Sequence, residues 1–156
     1  MNEEVLKDNT HPETIRDFVD KLEKKYHKVT SAKNNLPIME NGRPTQKGSI
    51  YRPDILVFDK NENITHILEI ETGDGGKSMV GAIFLADASI NKHIEQKIQD
   101  SKIKPDLIFI ILGNKYNAIK RIEAVKPYLN LKHITTHIYT KNEAYKELFN
   151  PYIQNI

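Results

Sequence analysis

The chain has 156 residues, 38% hydrophobic and 28% charged, with a formal net charge of +2, the size and balance of one globular domain with its own core. Cysteine and tryptophan are absent, which excludes disulfide frameworks, zinc–thiolate sites and thiol nucleophiles. The first residues carry neither a basic n-region nor an apolar h-region, and no apolar run approaches membrane-spanning length, so a cytoplasmic protein with no membrane partner is expected.

In chain order, the first element is a helix over residues 12–26. Pro12 suits its first turn, Glu13 lies at the positive end of its dipole, and Ile15, Phe18, Val19, Leu22 and Tyr26 form one apolar stripe. A short strand follows within His27–Ala32, through Val29 and Thr30. Residues 33–49, with Pro37, Gly42, Pro44 and Gly48, read as a long polar loop, part of which can extend the next hairpin as an extra strand. Connections longer than about 12–15 residues in compact domains are usually functional or disordered. Lys33, Arg43, Lys47 and then Arg52 make this one a candidate nucleic-acid contact.

Residues 52–72 read as a β-hairpin, with apolar arms on either side of Lys60-Asn61-Glu62-Asn63. The glycine-rich turn Gly73–Ser78 fails the spacing of both the phosphate loop and the dinucleotide fingerprint. Lys77, at its end, is a candidate cation for the carboxylates of the hairpin. A helix is expected over about 77–101, buried through Met79, Val80, Ile83, Phe84 and Ile90, with Lys92, His93 and Lys97 on its wet side. Leu107–Leu112 is a strand covered on both faces, residues 117–125 a helix stopped by Pro127, and Ile134–Tyr139 another strand. His133 and His137, four apart on a strand, are too distant to chelate. A last helix begins at Asn142. The order α, β, β-hairpin, α, β, α, β, α predicts one α/β domain with a central mixed sheet flanked by helices.

The hairpin carries the chemistry. A reversal centred on Asn61-Glu62 sets Leu56 opposite Ile67, Asp54 opposite Glu69 and Arg52 opposite Glu71, and alternation puts Glu69 and Glu71 on one face. A register slip of one would send Asp54 to the other face. Between residues 53 and 75 there are six acids against one lysine. Crowded carboxylates need a compensating cation, and an all-oxygen ligand set suits Mg²⁺, with substrate phosphate completing the sphere. The alternative is structural, with Glu71 paired to Arg52 and Asp54 capping the strand entry.

Pro53-Asp54 and, fifteen residues later, Glu69-Ile70-Glu71 resemble the two halves of the PD-(D/E)xK nuclease motif, found in many restriction endonucleases and junction resolvases. The resemblance implies a restriction-endonuclease-like domain. It also implies that Asp54 and Glu69 bind Mg²⁺ or Mn²⁺, joined by the Ile70 carbonyl, and that the first helix adds an acid, for which Glu23 is the candidate. Glu71 stands where the family usually has lysine; some restriction endonucleases are similar in this respect. The function expected is metal-dependent hydrolysis of DNA phosphodiesters, endonucleolytic or exonucleolytic. Glu71 would be a further ligand or the base, with Lys77 or Arg52 in the electrostatic role of the lysine. A homodimer is expected, because cutting two strands needs two sites. The alternative is a catalytically silent nuclease-fold module that binds nucleic acid or a protein.

Overall fold

Thr10 opens the first helix, α1 (His11–Glu23). Its side chain accepts from the Glu13 N–H at 3.3 Å, and Pro12 stands where a missing N–H costs nothing. The computed structural model describes residues 10–31, 36–40, 43–73 and 77–149, with the backbone alone for 36–40, 43–50 and 77. After α1 come β1 (Lys28–Ser31), β2 (Leu36–Glu40), β3 (Arg43–Tyr51), β4 (Ile55–Phe58), β5 (Ile64–Glu71) and α2 (Lys77–Glu95). Then follow β6 (Asp106–Ile111), α3 (Lys115–Val125), a 3-10 turn at Lys126–Tyr128, β7 (Thr135–Thr140) and α4 (Lys141–Phe149).

Five strands form one sheet in the order β1-β4-β5-β6-β7. β4 runs antiparallel to both β1 and β5, whereas β5, β6 and β7 are parallel to one another. Parallel neighbours require crossovers, which α2 and α3 supply. The protein is therefore α/β with a mixed sheet between two helical layers, as its pattern predicts. On one face α2 and α3 bring Met79, Ile83, Ile90 and Ile122 onto Leu56, Ile67, Leu107 and Phe109. On the other, α1 and α4 bring Phe18, Leu22 and Leu148 onto Ile55, Leu68, Ile108 and Ile110. Each such fully buried side chain contributes roughly 1.5–3 kcal/mol relative to exposure, so sliding β5 by one residue would exchange two cores at once. Among the described residues, no helix is long and apolar enough to cross a membrane.

Three expectations are corrected. First, the segment expected as a long loop contains β2 and β3, a two-stranded ladder in which Glu40 faces Arg43 and Leu36 faces Tyr51 and which packs on α2. Its prolines suggested a loop, but a two-stranded ribbon is all edge, and edges accept proline.

Second, α2 stops at Glu95 rather than near Ser101. The Ile98 N–H bonds the His93 carbonyl at 2.8 Å and the Lys97 N–H bonds that of Ile94 at 3.0 Å, with Lys97 at φ 60°. That is a Schellman ending with lysine in the left-handed position glycine usually takes, so no glycine announced it.

Third, Phe84 is 63% exposed while His93 is buried. His93 continues the inward row Ile83, Ala86, Ile90 at helical spacing, and Phe84 stands one residue off it.

Candidate metal centre

The register that brings the acids together is produced at the far end of the hairpin. Its turn pairs Asp59 with Asn63, the Asp59 N–H donating to the Asn63 carbonyl at 2.9 Å. The Asp59 carboxylate accepts from the Asn61 and Asn63 N–H groups at 2.8 and 3.0 Å, and Glu62 completes the reversal at φ 63°. Continued unbroken, that pairing would place Asp54 opposite Leu68, on the wrong face. It is interrupted. Phe58 faces Ile64 but Val57 faces His66, leaving Thr65 as the extra residue of a β-bulge. Beyond the bulge Leu56 faces Ile67, as expected, and Asp54 reaches Glu69.

Asp54 and Glu69 clasp each other through the backbone. The Asp54 N–H donates to Glu69 Oε1 at 2.8 Å, and the Ile70 N–H donates to Asp54 Oδ2 at 2.8 Å. Because the N–H and C=O of a strand residue point the same way, the Ile70 carbonyl also looks toward the entry of β4. Its counterpart in the continued register is Pro53, which has no N–H to offer it. Glu71 lies on the face of Glu69 and accepts a hydrogen bond from the Ser78 side chain at the start of α2.

Burial first, and then the charges of Asp54 and Glu71, push the Glu69 carboxyl up to about 8, against the opposing Asp54 N–H. Glu71 is raised as well, by burial and by Asp54, with His11 and the Ser78 hydroxyl working the other way. Tyr51 completes the enclosure. Its ring is buried, and its phenol is raised by burial and then by the charges of Glu69, Asp54 and Glu71. The His11 imidazole reaches the group from α1, its Nε2 lying 3.2 Å from Asp54 Oδ2.

Sequence reasoning missed His11, Tyr51 and Ser78. His11 sits at the first turn of α1, where no periodicity marks it. Tyr51 falls between the segment read as a loop, residues 33–49, and the hairpin read from residue 52, although Ser49-Ile50-Tyr51 already has strand composition.

The remaining candidates are distributed differently. Arg52 is exposed, and among the described residues it forms no ion pair with Glu71. Glu23 lies at the opposite end of α1 from His11, about 18 Å along the axis, so the residue this helix brings to the acids is His11. Arg43 and Lys47 lie on β3, and Lys77 opens α2 beside Ser78; only their backbones are described. Lys33 is outside the described residues.

The turn beyond the site is held by a close backbone contact. A Cβ on Gly113, after β6, would stand 2.8 Å from the Gly73 carbonyl oxygen and 3.3 Å from that of Thr72. The Leu112 N–H reaches the Glu71 carbonyl at 2.8 Å. The β6–α3 turn thus supports the end of β5 from behind.

Whether these residues suit a hard divalent ion is a question of donor type. Three carboxylates and a carbonyl whose register partner is Pro53 are oxygen donors of the right kind, and burial together with the neighbouring carboxylates raises the Glu69 and Glu71 carboxyls in a way that a bound cation would offset. Among the described residues, no group of three or more His, Asp or Glu side chains is closed into a ready coordination shell. Asp54 and Glu69 are turned onto backbone amides instead. Compared with family models, curated proteins and solved structures, the chain matches none.

Proposed function

We propose that this protein is a cytoplasmic, metal-dependent nuclease that hydrolyses DNA phosphodiesters at Asp54, Glu69 and Glu71. The observation carrying the reading is the reciprocal clasp of Asp54 and Glu69 on one sheet face with Glu71, in an enclosure that raises the Glu69 carboxyl to about 8. Mg²⁺ or Mn²⁺ would be held by Asp54, Glu69 and the Ile70 carbonyl. When bound, such an ion lowers the pKa of water and neutralises charge developing on phosphate.

The chain's own residues do the rest. Glu71, steadied by Ser78 and with its carboxyl raised above the ordinary range by burial and by Asp54, is suited to take a proton from an attacking water at its carboxylate. Pro53 and the buried Tyr51 ring hold the entry of β4 and exclude water from the apolar side. Lys33, Arg43, Lys47 and Arg52 are proposed as phosphate contacts, and Lys77 as the cation serving in place of the motif lysine.

The second reading, an idle nuclease-fold module that binds without cutting, is favoured by one observation: the ligand oxygens are engaged by amides and by His11. Incubation with single-stranded, duplex and branched DNA in Mg²⁺, Mn²⁺ or EDTA separates the two. The nuclease reading requires cleavage that EDTA and Asp54→Asn both abolish; retention of bound DNA uncut under every metal condition supports the idle module.

A further inference from the structure

Away from the carboxylates, a groove of about 450 Å³ opens between α2 and the segment after α3. Phe84 lines one side and Tyr128 the other, 63% and 86% exposed. Among the described residues four large hydrophobics are exposed, and two of them meet here, while a third, Tyr116, stands at the start of α3. The groove wall is fixed rather than loose, because Asp87 Oδ1 accepts from the Lys132 and His133 N–H groups at 3.2 and 2.8 Å. That contact also occupies the acid beside the groove. Between residues 114 and 133 there are five lysines and arginines against one glutamate, Lys115 being held by Glu143 of α4 at 2.6 Å.

Exposed rings interleaved with cations, on a surface of net positive charge, are what an unpaired nucleic-acid strand requires. Bases stack on aromatic faces, and lysines follow the phosphates. Position links this surface to the acids. α3 starts just after Gly113, which lies against Gly73, two residues past Glu71. It then runs 11 residues, about 16 Å, toward Tyr128, roughly the length of four or five stacked nucleotides.

We propose that the outer face of α3 and the Phe84–Tyr128 groove form a track for single-stranded nucleic acid, and that this strand is the substrate class presented to the carboxylates. The inference rests on the nuclease reading for what happens at the end of the track, and on the groove for what lies along it. A single strand needs only one active site, so a monomer suffices for this substrate.

The test is binding without catalysis. Glu69→Gln protein in EDTA is titrated into labelled oligothymidine and into a duplex of equal length. Tighter binding of the single strand is expected. Phe84→Ala and Tyr128→Ala should each weaken it about tenfold, within the range for loss of one stacking platform. Lys132→Glu should lower the slope of log affinity against log salt by about one. Melting temperatures should not move, because these side chains are exposed.

Single-strand affinity unchanged in both aromatic variants overturns the proposal, as does preference for duplex. So does a dimer that the aromatic substitutions dissolve without altering DNA affinity. Mn²⁺ titration of the parent is run separately. Metal binding without strand binding removes the track and spares the catalytic reading, whereas strand binding on Phe84 and Tyr128 without metal binding keeps the track and removes the catalysis.

Discussion

Glu69 is the carboxylate of the group that burial and charge raise to about 8, and the shift has a definite sign. A folded-state value of about 8 against an ordinary 4.5 means that the folded protein holds this proton where the unfolded chain has lost it. The associated stability is complete below about pH 4.5 and is lost as pH rises through 8. In EDTA, Glu69→Gln should therefore be more stable than the parent by a margin that grows between about pH 5 and 9, reaching roughly 1–4 kcal/mol. Parallel stability–pH curves for the two proteins would refute the assignment.

His66, on the opposite face of β5, has the reverse sign. Burial lowers it, with Lys25 and His137 adding to the effect and Asp106 opposing it, so its contribution is lost as pH falls below about 6.5. Glu71→Ala divides the functional roles. A working base or ligand should cost at least ~10²-fold in cleavage rate, whereas a scaffold residue should cost at most ~1 kcal/mol of stability with cleavage intact. At this scale the acids were readable from the sequence because carboxylates at fixed spacing on alternating strands declare their face. Their neighbours were not, since nothing in Thr10-His11-Pro12 says that α1 will carry an imidazole to Asp54.

At the scale of elements, the hairpin shows how a correct expectation can rest on an incomplete reason. The pairing of Leu56 with Ile67 follows from a turn centred on Asn61-Glu62, yet the turn pairs Asp59 with Asn63 and the bulge at Thr65 restores the register. Sequence gives no warning of the bulge, because Thr65 is an ordinary strand residue. Deleting Thr65 should remove the bulge and leave Asp54 opposite Glu69, because Ile64 would still face Phe58 and His66 would still face Val57, so a folded deletion variant should keep Mn²⁺ binding. A folded deletion variant that no longer binds Mn²⁺ would show that the bulge shapes the site beyond setting its register.

The β2–β3 ribbon was more legible than its prolines suggested, since Glu40 and Arg43 flank Asn41-Gly42, the strongest short hairpin signal. The turn after β6 offers a further check. Gly113→Ala forces a methyl to 2.8 Å from a backbone oxygen, which should cost about 1–3 kcal/mol as overpacking does. Because that backbone follows Glu71, metal affinity should fall with stability; denaturant midpoints and metal titration on this variant show whether both change.

For the molecule as a whole, the layered α/β design was readable because apolar runs at Leu107–Leu112 and helical stripes before and after it admit few arrangements. The two helical layers bury opposite faces of β5, leaving its C-terminal end, with Glu69 and Glu71, beside the starts of α1 and α2. Strand number also bears on assembly. A cutter of duplex DNA needs two copies, whereas a cutter of single strands works as one, so sedimentation with oligothymidine should give a one-to-one complex, and an obligate dimer would favour duplex cleavage.

Whether Asp54 and Glu69 form a site for a hard divalent ion is read from calorimetric titration of Mn²⁺ into the parent, Asp54→Asn and Glu69→Gln. Saturable binding with proton release is expected in the parent and none in either variant, all three being folded. Equal binding by the three proteins, or no binding by the folded parent, would contradict that site.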